Sequence, residues 1–145
     1  MEQNLTREEI KENRLKFAKG LQESHREKIT KILESFNNSN QRCCLGHGCE
    51  IFNIERNIED DLVSYGKENC RGTAPIELMD LLGLYDIWGG CAPIGELVPG
   101  IRALTVLNDN TELTTQEIGK LIEGWIEGGP STPFKPLSSY DESNT

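Results

Sequence analysis

The chain has 145 residues, with 24 Asp and Glu against 15 Lys and Arg, for a formal net charge of −9. That length suits one domain that holds its own core without metal or disulfide staples. The acidic balance excludes a general nucleic-acid surface, which needs excess Lys and Arg to meet phosphates.

The charge is uneven along the chain. Residues 1–44 carry nine basic and seven acidic side chains, while the remainder carries six and seventeen. A weakly basic N-terminal part therefore precedes a strongly acidic one. No apolar run reaches the ~20 residues of a bilayer span. The start of the chain is charged from Glu2 and lacks an apolar signal region. The expected setting is the cytoplasm, with no membrane and no nucleic acid among the partners. Five cysteines, an odd number that includes a vicinal pair, fit free thiols in a reducing compartment.

Leu5-Thr6-Arg7-Glu8-Glu9-Ile10 predicts a helix start. Thr6 caps the amide of Glu9, Glu9 reaches back to Thr6, and Leu5 staples to Ile10. Ile10, Phe17, Ala18 and Leu21 then share one stripe, with Gly20 weakening the end. Ser24-His25-Arg26-Glu27 repeats the capping box. Ile29, Ile32, Leu33 and Phe36 follow at helical spacing and predict a second helix, which runs out in Asn37-Asn38-Ser39-Asn40.

Next comes Gln41-Arg42-Cys43-Cys44-Leu45-Gly46-His47-Gly48-Cys49-Glu50-Ile51, the densest knot of small, soft and apolar side chains. It predicts a short, tightly packed helix from about Arg42 to Phe52, whose glycines let another backbone come close. From Asn53 to Gly72 the chain is polar with little periodicity and reads as mostly irregular, with Leu62–Tyr65 as a short strand or extended arm. Thr73 to Met79 predicts a helix with Pro75 in its first turn and Gly83 as its stop. Leu84 to Gly95 is an apolar loop. Ile101, Leu104, Val106 and Leu107 suggest one or two helical turns ending at Asn108-Asp109-Asn110. Leu113 to Ile118 is a third cap. Ile118, Leu121, Ile122, Trp125 and Ile126 form the cleanest apolar stripe in the chain, which Gly128-Gly129-Pro130 ends. Ser131 to Thr145 has the composition of a disordered tail.

Cys44, His47 and Cys49, with Cys70 or Cys91, supply zinc-ligand types, but in one crowded group and not in two spaced pairs. Cys43 or Cys44 beside Arg42 and His47 is the candidate nucleophile, which requires a depressed thiol pKa and a nearby base. Packing cysteines account for the same residues without chemistry. Glu59-Asp60-Asp61 lacks the alternating oxygen spacing of a calcium loop. No phosphate loop, dinucleotide fingerprint or serine elbow occurs.

Arg42 to Glu50 resembles the R-Y/W-C-C-L-G-x-x-C-E/D segment of an uncharacterised family of small phage and bacterial proteins. Two later blocks agree in order and spacing. Ala74 to Leu84 is similar to the family's L-P-x-E-V-x-x-W-L-G-L. Leu104 to Asn110, continuing through Thr115 to Ile118, is similar to its L-x-x-L-N-D-x-G-x-x-F-x-x-I-A. The likeness covers about residues 42–127. The chain departs from it where Cys43 directly follows Arg42 and where Leu81 replaces a tryptophan. The resemblance implies a small cytosolic accessory protein, phage-encoded or from a mobile element.

These readings predict a mainly α fold with little or no β-structure. One compact helical domain covers 1–129, with two N-terminal helices in 6–38 and a core in 42–128, and a disordered tail follows over 130–145. The expected function is non-enzymatic binding of a host protein or a small nucleotide-like host signal, without cofactor or metal. A small zinc-binding domain and, after it, a cysteine-dependent enzyme are the alternatives. The expected ligand site gathers Arg42, His47, Trp88, Arg102, Asn108 and Asp109. There Arg102 would offer a planar fork to an anion and Trp88 a stacking face.

Overall fold

A computed structural model describes residues 5–24, 27–28, 32–35, 41–60, 62–85, 113–129 and 132–140. The chain order is helix α1 (Arg7–Gln22), strands β1 (Glu27–Lys28) and β2 (Gln41–Arg42), helix α2 (Cys44–Ile51), strands β3 (Arg56–Glu59) and β4 (Leu62–Tyr65), helices α3 (Ile76–Leu82) and α4 (Thr115–Gly124), and a 3-10 turn, η1 (Leu137–Ser139). The fold is mixed α/β, not mainly α: β1 pairs parallel with β2, and β3 pairs antiparallel with β4.

Helix α1 is the spine. Its capping box forms as its sequence dictates, with Thr6 Oγ1 accepting from Glu9 N at 3.2 Å and Glu9 Oε1 accepting from Thr6 N at 2.9 Å. Ile10, Phe17, Ala18 and Leu21 are all fully buried. Each such side chain gains about 1.5–3 kcal/mol on burial, Ala18 less. Helix α1 packs against α2, α3 and α4. It meets α4 where a Cβ on Gly119 would stand 2.8 Å from Ala18 O, so only glycine lets the two backbones approach this closely. Helix α4 repeats the capping box through Thr114 and Glu117.

The Cys-Gly segment folds as α2, close to its expected bounds, with Cys44, Leu45, Gly46, His47, Gly48 and Cys49 all buried. Helix α3 ends at Gly83, in the left-handed region at φ 69° as its stop signal requires. One apolar cluster joins side chains of α1, α2, β4, α3 and α4 with Leu33, Ile54, Leu84 and Phe134.

Three expectations are corrected. The second N-terminal helix is not formed at the described positions. Glu27–Lys28 is strand, and residues 32–35 are bends with an antiparallel bridge from Glu34 to Arg42. The apolar spacing there is helical, but Leu33 is drawn into extended pairing: its N–H bonds Arg71 O at 2.6 Å and its carbonyl accepts from Cys43 N at 3.2 Å. That pairing points Glu34 into the core. Secondly, Arg56–Glu59 and Leu62–Tyr65 pair as a hairpin in a stretch expected to be mostly irregular, and the short strand expected at Leu62–Tyr65 is β4. Asp60 takes φ 53° at the hairpin's tip, a left-handed turn position that Asp tolerates. Thirdly, the expected disordered tail is ordered over 132–140. Phe134 is fully buried, Leu137 is buried, Leu84 bridges Phe134, and Lys135 N bonds Gly83 O at 2.8 Å. Two large apolar side chains in that short stretch suffice to dock it.

No described helix is long and apolar enough to cross a membrane.

Candidate functional site

Of the six expected site residues, the structure describes two. Trp88, Arg102, Asn108 and Asp109 lie outside the described residues, as does Cys91. Arg42 and His47 are both buried, and each is used by the fold.

Arg42 belongs to an ionic cluster the sequence reading missed. The Glu34 side chain is wholly buried and accepts from Arg42 Nη2 at 3.0 Å, from both Arg56 Nε (2.9 Å) and Nη2, and from the Tyr65 hydroxyl. Arg42 Nη1 donates to Tyr65 Oη at 2.7 Å, and Glu50 lies 3.9 Å from Arg42 Nη2. Burial pushes the Glu34 carboxyl up. Hydrogen bonds from Arg56 and Tyr65, with the charges of Arg42 and Arg56, outweigh that and hold it below the ordinary carboxylate value. Burial and the hydrogen bond to Glu34 push the Tyr65 hydroxyl up, so it stays protonated and donates. With its acceptors filled in this way, Glu34 locks the 32–35 segment to β2 and the hairpin. A fork of planar donors suits such an enclosed carboxylate. Of its members the sequence marks only Arg42, because Arg56 and Tyr65 lie 22–31 positions from Glu34 and no local pattern links them.

His47 sits on α2 with Nδ1 3.4 Å from Ser24 Oγ. The thiols read as core. Cys44 and Cys49 are fully buried, and Cys43 Sγ accepts from Gly46 N at 3.3 Å as the cap of α2. Burial, followed by the neighbouring Cys43 and Cys70, pushes the Cys49 thiol up, and burial does the same to Cys70. Cys49 and Cys70 therefore lack the depressed thiol that a cysteine nucleophile needs. Among the described residues no group of three or more His, Cys, Asp or Glu stands close enough to hold a metal ion.

An open cleft of about 160 Å³ lies on the hairpin, lined by Glu59, Asp60, Leu62, Ser64, Asn69 and Arg71. Its floor is organised: Asn69 Oδ1 accepts from Ser64 Oγ at 3.3 Å and from Asn57 Nδ2 at 3.0 Å. Its lining carries two carboxylates, Glu59 and Asp60, and one guanidinium, Arg71. Leu62, 46% exposed, is part of that lining, while Ile58, 53% exposed, stands on the opposite face of the hairpin with Val63. The hairpin thus presents one open apolar side chain on each face, with two carboxylates and a guanidinium beside Leu62. No local pattern in the sequence shows that a hairpin sets Glu59 and Asp60 beside Leu62 and Arg71.

No protein-family model, no curated protein and no solved structure matches the chain.

Proposed function

We propose that the protein is a non-enzymatic binding protein of phage or mobile-element type whose target is a host protein. The observation that carries this is the hairpin surface, where half-exposed Leu62 lines the cleft with Glu59, Asp60 and Arg71 and Ile58 stands exposed on the opposite face. Elsewhere among the described residues, the groups able to do chemistry serve the fold: the thiols pack, and Glu34, Arg42 and Tyr65 bind one another. The phage-type origin rests on the three blocks resembling small phage and bacterial proteins. A nucleotide-like signal, the other expected ligand, suits this surface poorly, because two carboxylates would face its phosphates.

The test places a photoreactive benzoylphenylalanine at Leu15, Leu62 or Leu121 (all exposed) in a bacterial host. Irradiation is expected to yield one discrete adduct that unlabelled protein competes away. Melting temperature is expected to stay flat across a panel of cyclic and ADP-ribose nucleotides. A nucleotide-dependent rise in melting temperature, with no competable adduct at any of the three positions, overturns the proposal.

A further inference from the structure

We infer that the outer edge of β3 is a docking edge for an extended segment of the partner protein in which basic and apolar residues alternate. The inference rests on the protein-binding reading above and assigns its surface and the chemistry it selects.

The argument begins with the hairpin ladder. Arg56 pairs with Tyr65, Asn57 with Ser64, Ile58 with Val63 and Glu59 with Leu62, and Gly66 N donates to Glu55 O at 2.8 Å. Bonded and non-bonded pairs alternate in an antiparallel ladder. The main-chain groups of Asn57 and Glu59 therefore turn toward β4, and those of Arg56 and Ile58 turn away from it. On the far side of β4, Tyr65 exchanges both main-chain bonds with Cys70. No described strand pairs with the far side of β3. Folded proteins usually blunt such an edge, yet here it carries Ile58, 53% exposed.

Side chains alternate across the strand. Arg56 and Ile58 share the face of buried Tyr65 and Val63, and Glu55, Asn57 and Glu59 share the other. Arg56 is already bound by Glu34, so its charge is compensated. An incoming strand thus meets an apolar neighbour on one face and two carboxylates on the other. Alternating basic and apolar residues match that pattern. A second copy of this chain does not. The self-pairing with the longest overlap centres on Asn57 and sets Glu59 of each copy opposite Glu55 of the other, and like charges opposite one another destabilise a sheet.

The experiment titrates ¹⁵N-labelled full-length protein with acetyl-Lys-Val-Lys-Val-Lys-Val-amide, a peptide of about ordinary strand length. The control is the same peptide with Glu for Lys. The basic peptide is expected to shift the Arg56 and Ile58 amides most, to slow their hydrogen exchange, and to lose affinity with added salt. Glu59→Lys, an exposed change that leaves the core intact, is expected to weaken binding about tenfold, and Ile58→Thr about threefold. Equal binding of the acidic peptide, or shifts centred away from β3, overturns the inference. So does a photo-adduct that forms from Leu15 or Leu121 and never from Leu62. That last result would leave the protein-binding reading standing, so the two fail separately.

Discussion

At the scale of single residues, the centre of the fold depends on what is missing from Gly46. A Cβ there would stand 1.9 Å from the carbonyl oxygen of Leu33. The obstacle is backbone, held from both sides by hydrogen bonds to Arg71 and Cys43, so it has little room to give way. Gly46→Ala is expected to cost about 3 kcal/mol or more, although alanine is the better helix former. Chemical denaturation of the variant checks this, and a stability equal to the parent would show that Leu33 does not cross α2 there. That a glycine in this segment admits another backbone was legible from the run of small residues. Which backbone was not, since Leu33 carried the spacing of a helix.

At the scale of elements, the C-terminal strap shows how a buried charge replaces a large apolar surface. Arg14 is fully buried on α1, yet its fork donates to main-chain oxygens: Leu82 at 2.8 Å, Ile126 at 2.9 Å and Lys135 at 2.8 Å, with Phe134 stacked 4.7 Å from it. Leu82 closes α3, and Ile126 follows the end of α4, so the cation lies at two negative helix ends, where it is stabilised. Burial pulls its pKa down to about 10, opposed by Tyr140, Tyr85 and Glu127, so it remains charged at neutral pH. Arg7 adds bonds to Leu137 O at 3.0 Å and Tyr140 O at 3.2 Å. Arg14→Met keeps the bulk and removes the donors, leaving the buried Leu82 carbonyl and the part-buried Ile126 and Lys135 carbonyls without this partner. A loss of about 3–5 kcal/mol is expected, with faster hydrogen exchange at Lys135 and Leu137 than the global loss explains. If those amides exchange no faster than that, the strap does not depend on Arg14. In the sequence Arg14 is one of several polar residues of α1, and its bond to Lys135 spans 121 positions.

At the scale of the whole molecule, acid should unfold the protein partly through Glu34. Its carboxyl is held below the ordinary value of 4.5 in the folded state, so the unfolded chain takes up the proton first. The stabilisation is therefore complete above that ordinary value and is lost as pH falls through the folded one. Glu117 and Glu123, also lowered by their hydrogen bonds, act in the same direction at the surface. Melting temperature is expected to fall below about pH 4.5. Glu34→Gln should flatten that fall while lowering stability at pH 7 by about 3–5 kcal/mol, because Arg42 loses its buried counter-charge. An unchanged acid slope in Glu34→Gln would remove Glu34 from the account. The sequence by itself determined α1, α2, α3 and α4, the capping boxes of α1 and α4 and the glycine stop of α3, because capping and amphipathic spacing act within a turn or two of chain. It also marked the thiols as packing groups. The tertiary structure alone decided the partner strand of Leu62–Tyr65, the ionic cluster on Glu34, the docked strap and the cleft on the hairpin. Each depends on groups distant in sequence that become neighbours only when the core closes, and no local periodicity records which of them will meet.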